Sequence, residues 1–437
     1  MKANISSLSS GYNTPLNRCK NAALLAVLIL VLAAISRFDR HHLPDDLPFL
    51  SWFWDTNVNT SVLVDQDTEL SYSTLSDDAI DSDGNAMSRG SEPKCDIFRG
   101  TWVPDSEGRP YYGNKGGCEI SEGEDCMKFG RPDSEYMKWR WRPDGCELPR
   151  FDAAAFLELV RGKSMAFIGD SLARNHMQSL GCMLSAVARP VNQSDPEDQR
   201  LRRWFYADYN FTLQLMSSTH LITSRSVEIL SVKPIHLYLD EADEIWATRV
   251  ESFDYLIISA GHWFSRPLIY HENQKITGCH MCRHRNTTEL TRFYGYRQAF
   301  QTVFSKLLDL RSFKGTVFLR TISPTHFEVE QMEGRGNCAR TRPFTKRELK
   351  FDWYLSMYYV TEVELLKEAQ REVKGRELKL RLLDVTEAMR LRPDGHPNVY
   401  GQSPEKKKSS ADCLHWCLPG AIDTWNELLL QMLKTDR

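Results

Sequence analysis

A serine becomes a nucleophile when a base takes its proton, and a histidine serves as that base when a carboxylate fixes its ring. The sequence supplies candidates for all three parts. Gly169-Asp170-Ser171 closes a short apolar run (residues 165–169) and precedes a helical pattern over 172–187, which predicts a strand, a tight turn and a helix. A serine at that junction faces free N–H groups and a helix dipole, both of which favour a developing oxyanion. Aspartate and serine are also the commonest helix caps, so position alone weighs equally for a structural role. Two pairs near the C-terminus can supply the base. In Asp412-Cys413-Leu414-His415 a spacing of three residues puts carboxylate and imidazole on one side of a turn, with Cys413 and Cys417 able to clamp the segment. The other pair, Asp394 and His396, lies in RPDGHP, which reads first as a Pro/Gly turn. Preorganisation favours the first pair, so the expected constellation is Ser171 as nucleophile, His415 as base and Asp412 as its orienting carboxylate. Asp170 is the fallback carboxylate.

The elements that must hold these residues follow from the texture of the chain. From residue 151 onward, strands alternate with helices: a helix capped by Asp152 and running to Val160, the strand at 165–169, further strands at 254–260, 315–322 and 378–384, and an amphipathic helix at 425–434. That alternation implies an α/β fold with a mostly parallel sheet, whose chemistry gathers at the carboxyl ends of the strands. Residues 94–150 are dense in Cys, Gly, Pro, Trp and Tyr, as in a loop-rich subdomain stapled by disulfides. Residues 37–93 are rich in Asp, Ser, Thr and Asn and are read as a flexible stem, because they bury too little apolar surface to offset their ordering entropy. Residues 22–35 are apolar throughout. Taken as a helix over 21–36, they would rise roughly 24 Å, short for a hydrocarbon core of about 30 Å. A cleaved signal peptide is the alternative, but Arg37 and Phe38 follow at once, without a small-residue cleavage site. The segment is read as a signal anchor with residues 1–20 cytoplasmic, Arg18 and Lys20 setting the orientation.

A net charge of -3 is near neutral and gives no argument for a nucleic-acid surface or a strongly charged partner. Of the 11 cysteines, only Cys19 precedes the apolar run; the even remainder reads as a disulfide framework in an oxidising compartment. Sequons at Asn59, Asn192, Asn210 and Asn286 agree with secretory passage. Cys279-His280-Met281-Cys282-Arg283-His284 has a C-x-x-C, but no second C-x-x-C completes a zinc site, so a local disulfide is the expectation and no metal is assigned. There is no P-loop and no G-x-G-x-x-G. Trp102, Tyr111, Tyr112, Trp139 and Trp141 are expected to pack in the interior, whereas Trp263 and Trp416, each beside a candidate site residue, are the expected sugar-facing rings.

Several blocks together resemble the plant trichome-birefringence-like family of polysaccharide O-acetyltransferases. They are CDIFRGTWV, FGRPDSEYMKWRWRP, GDSLARN at 169–175, the strand ending Ser259-Ala260-Gly261-His262-Trp263, and DCLHWCLPG at 412–420. GHWFSRP, ENQKITGCHMC and RLRPDGHPNVYG are similar to its xyloglucan branch. The resemblance implies an SGNH-like hydrolase fold with Ser171, Asp412 and His415 as the triad, in a Golgi membrane protein with a lumenal catalytic domain. It implies pairing of Cys95 with Cys146, Cys118 with Cys182, Cys126 with Cys417, and Cys338 with Cys413. The implied activity passes an acetyl group through acetyl-serine to a wall polysaccharide, xyloglucan galactose first among acceptors, with xylan, mannan or pectin as alternatives. No cofactor is expected to stay bound; an acetyl donor, acetyl-CoA or another carrier, is required. Gly-His-Trp stands where ordinary SGNH esterases carry an oxyanion asparagine. That leaves Gly169, Asp170, Arg174, Asn175, Gly261 and His262 as candidates for the oxyanion and substrate contacts. A deacetylase using the same triad and a non-catalytic glycan-binding protein are the competing readings.

Overall fold

A computed structural model describes residues 95–105, 110–113, 118, 120–226, 234–281, 287–328, 337–402 and 411–435. The expected anchor and stem, Cys19, Cys282, Asn59 and Asn286 lie outside these residues. No helix among the described residues is long and apolar enough to cross a membrane.

The chain opens with an antiparallel pair, β1 (Asp96–Pro104) and β2 (Trp139–Asp144), in which Trp102 faces Trp141 across the register. Helix α1 (Ala153–Leu159) begins where Asp152 accepts a hydrogen bond from the Ala155 N–H, a cap worth about 1 kcal/mol. Strand β3 (Ser164–Gly169) follows, then helix α2 (Ser171–Leu184), the turn β4 (Val191–Asn192), and the hairpin β5 (Leu201–Tyr206) and β6 (Phe211–Ser217). Next come β7 (Ile222–Ser226), β8 (Ile235–Ala242), β9 (Tyr255–Ser259), β10 (Leu268–Glu272) and β11 (Lys275–His280). Helix α3 (Arg292–Asp309), β12 (Thr316–Arg320), α4 (Trp353–Glu372), β13 (Lys379–Leu383) and α5 (Asp423–Thr435) complete the order.

The central sheet runs β13-β12-β9-β3-β6-β5-β4. Its first five strands are parallel, and β5 and β4 join antiparallel at one edge. The fold is therefore the expected α/β type with a mostly parallel sheet, and β3 lies at its middle. Alternation along β3 explains why. Met165 and Phe167 pack on one face with α2 and α5, while Ala166 and Ile168 pack on the other with α3 and α4. A strand covered on both faces must be apolar at every position, and all four of these side chains are 0% exposed. A second sheet, β11-β10-β8-β7, shares the second core.

The cysteine-rich segment is sewn into the larger unit rather than appended to it. Trp102, Tyr112, Trp141 and Leu148 join the same apolar cluster as α2 and α5. Disulfides Cys95–Cys146, Cys118–Cys182, Cys126–Cys417 and Cys338–Cys413 are those implied by the resemblance. Cys279 is also disulfide-bonded. Asn192 and Asn210 are exposed.

Candidate active site

The position of the candidate nucleophile is set by glycine. At Gly169 the backbone turns with a φ of 155°, and a Cβ there would lie 1.9 Å from the Ser259 carbonyl of the neighbouring strand β9. The next residue, Asp170, has extended backbone and caps α2 by accepting from the Leu172 N–H at 3.0 Å. Ser171 is thereby fixed as the first helical residue, at the carboxyl end of the central strand, where a helix offers its N–H groups no carbonyl of its own.

The base arrives from the other end of the sequence. His415 Nε2 lies 2.7 Å from Ser171 Oγ, and His415 Nδ1 lies 2.8 Å from Asp412 Oδ2. The second Asp412 oxygen accepts from the Leu414 and His415 N–H groups, each at 3.0 Å, so the carboxylate is held by the turn it begins. Burial opposes ionisation of Asp412, but the bonds from His415 and Leu414 outweigh it and hold the carboxyl at about 2. Burial likewise lowers His415, yet the Asp412 carboxylate more than offsets it, and the imidazole is raised above its ordinary value. A charged carboxylate behind a basic imidazole, with a hydroxyl in front, can move a proton from Ser171 and return it.

Neighbouring elements hold the segment from all sides. Asn398 and Asp412 exchange backbone hydrogen bonds at 2.8 and 2.9 Å. Disulfides fix Cys413 to Cys338 and Cys417 to Cys126. Asn175, one turn beyond Ser171 and wholly buried, accepts from the Trp416 N–H at 2.8 Å and donates to the Trp416 carbonyl at 3.2 Å. The Leu418 N–H donates to the Glu124 carbonyl. The Glu124 side chain, itself buried, pairs with Arg174 at 2.8 Å, and both charges act on His415.

Several expected contacts take other roles. Asn175 is a clamp on the backbone after His415, not an oxyanion donor, because both ends of its amide are used. Trp416 is 0% exposed, lies 4.1 Å from the His396 ring in a stacked pair and donates to Ser323, so it cannot offer a face to a sugar. Gly169 and Asp170 shape the turn. His262 Nε2 donates to the Ser323 carbonyl at 2.8 Å, and burial lowers its pKa, so the neutral ring presents Nδ1 as an acceptor. That removes the ring, though not the backbone N–H, from the oxyanion donors and leaves Nδ1 able to accept from a hydroxyl. Trp263 is half-buried, with the Arg266 guanidinium 3.9 Å from its ring centroid. Gly261 is required by close approach, since a Cβ would lie 2.2 Å from Ile322. The runner-up pair is structural. Asp394 is locked in a buried ion pair with Arg392, and His396 Nδ1 donates to the His415 carbonyl at 2.8 Å while its Nε2 meets His326 at 2.7 Å.

Sequence reasoning did not find Glu124, Arg131, Ser323 or His326. Arg131 donates to the Asp394 and His396 carbonyls, and the His326 N–H donates to the Cys413 carbonyl. Arg131 lay in view within FGRPD, but neither a glutamate within the acidic run at 122–125 nor a histidine two residues after Pro324 carries a local signal.

Comparison with known proteins places this geometry in context. Residues 148–432 match the GDSL/SGNH-like acyl-esterase family found in Pmr5 and Cas1p, and residues 93–147 match the PMR5 N-terminal domain. The chain is 49% identical to trichome birefringence-like 19 of Arabidopsis thaliana, over 79% of this chain and 82% of that protein. It is 41% identical to xyloglucan O-acetyltransferase 4 of Populus trichocarpa, over 78% of this chain and 82% of that one. With xyloglucan O-acetyltransferase 1 of Arabidopsis thaliana it shares 36% identity over 97% of this chain and 99% of the relative.

Proposed function

The chain belongs to the GDSL/SGNH-like acyl-esterase family, among its trichome birefringence-like members, and from that premise we propose that it is a polysaccharide O-acetyltransferase acting on xyloglucan. The observation that carries the reading is the unbroken relay from Asp412 through His415 to Ser171, at 2.8 and 2.7 Å, at the carboxyl edge of the central sheet. Support for xyloglucan comes from relatives that bear its name, two of them described above.

In the first half-reaction Ser171 Oγ attacks the acetyl carbonyl of the donor as His415 Nε2 takes its proton. The Asp412 carboxylate stabilises the imidazolium, the proton passes to the leaving group, and acetyl-Ser171 remains. In the second, an acceptor hydroxyl gives its proton to His415 and attacks the acetyl carbon. Ser171 Oγ then leaves with that proton. The Ser171 N–H at the start of α2, with Gly261 on the adjoining strand end, is the region assigned to the oxyanion. A Golgi membrane protein with this unit in the lumen accords with the four disulfides described.

The test incubates the detergent-solubilised full chain with an activated acetyl ester and xyloglucan, xylan or glucomannan oligosaccharides, with Ser171→Ala in parallel. Acetyl gain on xyloglucan that is lost in the variant is the expected result. Acetyl release to water with no gain on any glycan means an esterase, and gain confined to another glycan reassigns the acceptor.

A further inference from the structure

The aromatic side chains that are exposed among the described residues are Phe327, Phe351, Trp353 and Tyr354, at 46%, 65%, 52% and 54%. The sequence gives no reason for them to gather, yet the topology brings them to one edge. Phe327 follows His326, whose N–H bonds the Cys413 carbonyl two residues before His415. Helix α4 descends from the end of β12 to the start of β13, so its first turn, bearing Trp353 and Tyr354, stands at the carboxyl edge that also bears Ser171. Helix α3 descends to the start of β12 in the same sense, which puts Arg292 and Phe293 at that edge too. Asp352, the cap of α4, is near enough to His326 for its charge to act on that ring.

Two of these rings, Trp353 and Tyr354, are braced against α3. Phe293 meets Trp353 edge-on at 5.2 Å and lies parallel to Tyr354 at 6.1 Å, Trp353 and Tyr354 meet at 5.2 Å, and the Arg292 guanidinium lies 4.9 Å from the Tyr354 centroid. Large aromatic faces left in water mark a binding surface. The occupant must reach the Ser171 edge, which an acceptor does when one of its hydroxyls is at the nucleophile and the rest of it extends across the rim. Pyranose rings present flat C–H faces to aromatic planes and hydroxyls to flanking groups such as Asp352 and Arg292, and being neutral they need no ion pairs.

We propose that Phe327, Phe351, Trp353 and Tyr354, the last two braced by Phe293 and Arg292, form an acceptor platform that binds sugar residues of the polysaccharide remote from the one being acetylated. The proposal rests on the transferase reading and adds to it the place where the glycan lies.

The experiment compares the full chain with Trp353→Ala/Tyr354→Ala and with Trp353→Phe. Transfer is measured to a long xyloglucan oligosaccharide and to a simple galactoside, and hydrolysis of a small activated acetyl ester is followed alongside. The double variant is expected to raise KM for the long acceptor about tenfold. Its kcat, its KM for the galactoside and its ester hydrolysis should stay as in the parent, and Trp353→Phe should restore most of the affinity. An unchanged KM for the long acceptor, or an equal loss for long and short acceptors, overturns the platform while the parent's transfer leaves the transferase reading standing. If the parent transfers acetyl to no glycan, retention on immobilised xyloglucan decides. Retention lost in the double variant keeps the platform without the transferase reading; equal retention removes it. A changed oligomeric state in the double variant with no effect on acceptor also overturns it, and assigns the rings to contact between copies.

Discussion

Replacing Asn175 with alanine separates positioning from chemistry. Its amide touches neither Ser171 nor the His415 ring, but it holds both backbone groups of Trp416, the residue after the base. Two neutral hydrogen bonds contribute about 1 kcal/mol each, and leaving a buried N–H and C=O without partners adds about 1 kcal/mol or more, for a loss of about 3 kcal/mol. In a folded unit of this size that lowers Tm by roughly 4 °C. A shift of His415 by about 1 Å should lower kcat about a hundredfold, with KM for the donor little changed. The assay is Ser171-dependent ester hydrolysis, run well below the variant's Tm. Ser179→Ala is the control. Ser179 is equally buried on α2, donates to Asp423 and accepts from Asn426, and so loses comparable bonding without contact to the His415 turn. If Asn175→Ala turns over like the parent, or Ser179→Ala loses as much activity, the clamp does not position the base.

The same relay sets a pH profile. His415 must be neutral to accept a proton and its pKa is raised, so kcat/KM should fall as pH drops through a value above the ordinary histidine one. A profile flat between about pH 5 and about pH 8 would remove His415 from the base role. Stability should pass through a maximum for a different reason. Burial lowers His220 to about 3 and His326 to about 4, so the unfolded chain binds protons there that the fold does not, and stability falls as pH drops below about 6.5. Burial raises Glu362 to about 8, so below that value the folded chain keeps a proton that the unfolded one has released, and beyond about pH 6.5, where the histidine contribution is complete, stability falls as pH rises toward about 8 and then levels. Calorimetry should place the Tm maximum between about pH 6 and about pH 7, and Glu362→Gln should flatten the alkaline side. A Tm still rising at about pH 8 contradicts this account.

What could be read from the sequence was local. The strand before Ser171, its cap and helix, and the Asp412-to-His415 turn each have their signal within a few residues, and the structure reproduces them with ends shifted by one to three positions. The order of the central sheet, the β5–β6 hairpin and the second sheet were not legible, because strand neighbours are chosen by pairings far apart in sequence. The disulfide pairs came from resemblance alone, since ten cysteines permit many connectivities. Trp416 and Asn175 show how adjacency misleads. Both stand beside site residues in the chain, and both are consumed in holding the site. Exposure of Trp353 and Tyr354 depends on how α3 and α4 pack, which no periodicity reports.

The sequence separation of 291 between Cys126 and its partner Cys417 also bears on biosynthesis. Ser171 emerges from the ribosome with a strand and helix able to form around it, long before Asp412 and His415 follow. They can be fastened only when Cys126 and Cys338 have waited, unpaired, for cysteines that are still to be made. A chain interrupted before residue 412 carries a correctly turned serine with nothing to take its proton. The nascent protein therefore lacks its proton acceptor until residue 415 has been made, and the bonds from Cys413 and Cys417 then hold that acceptor's segment to the rest of the fold.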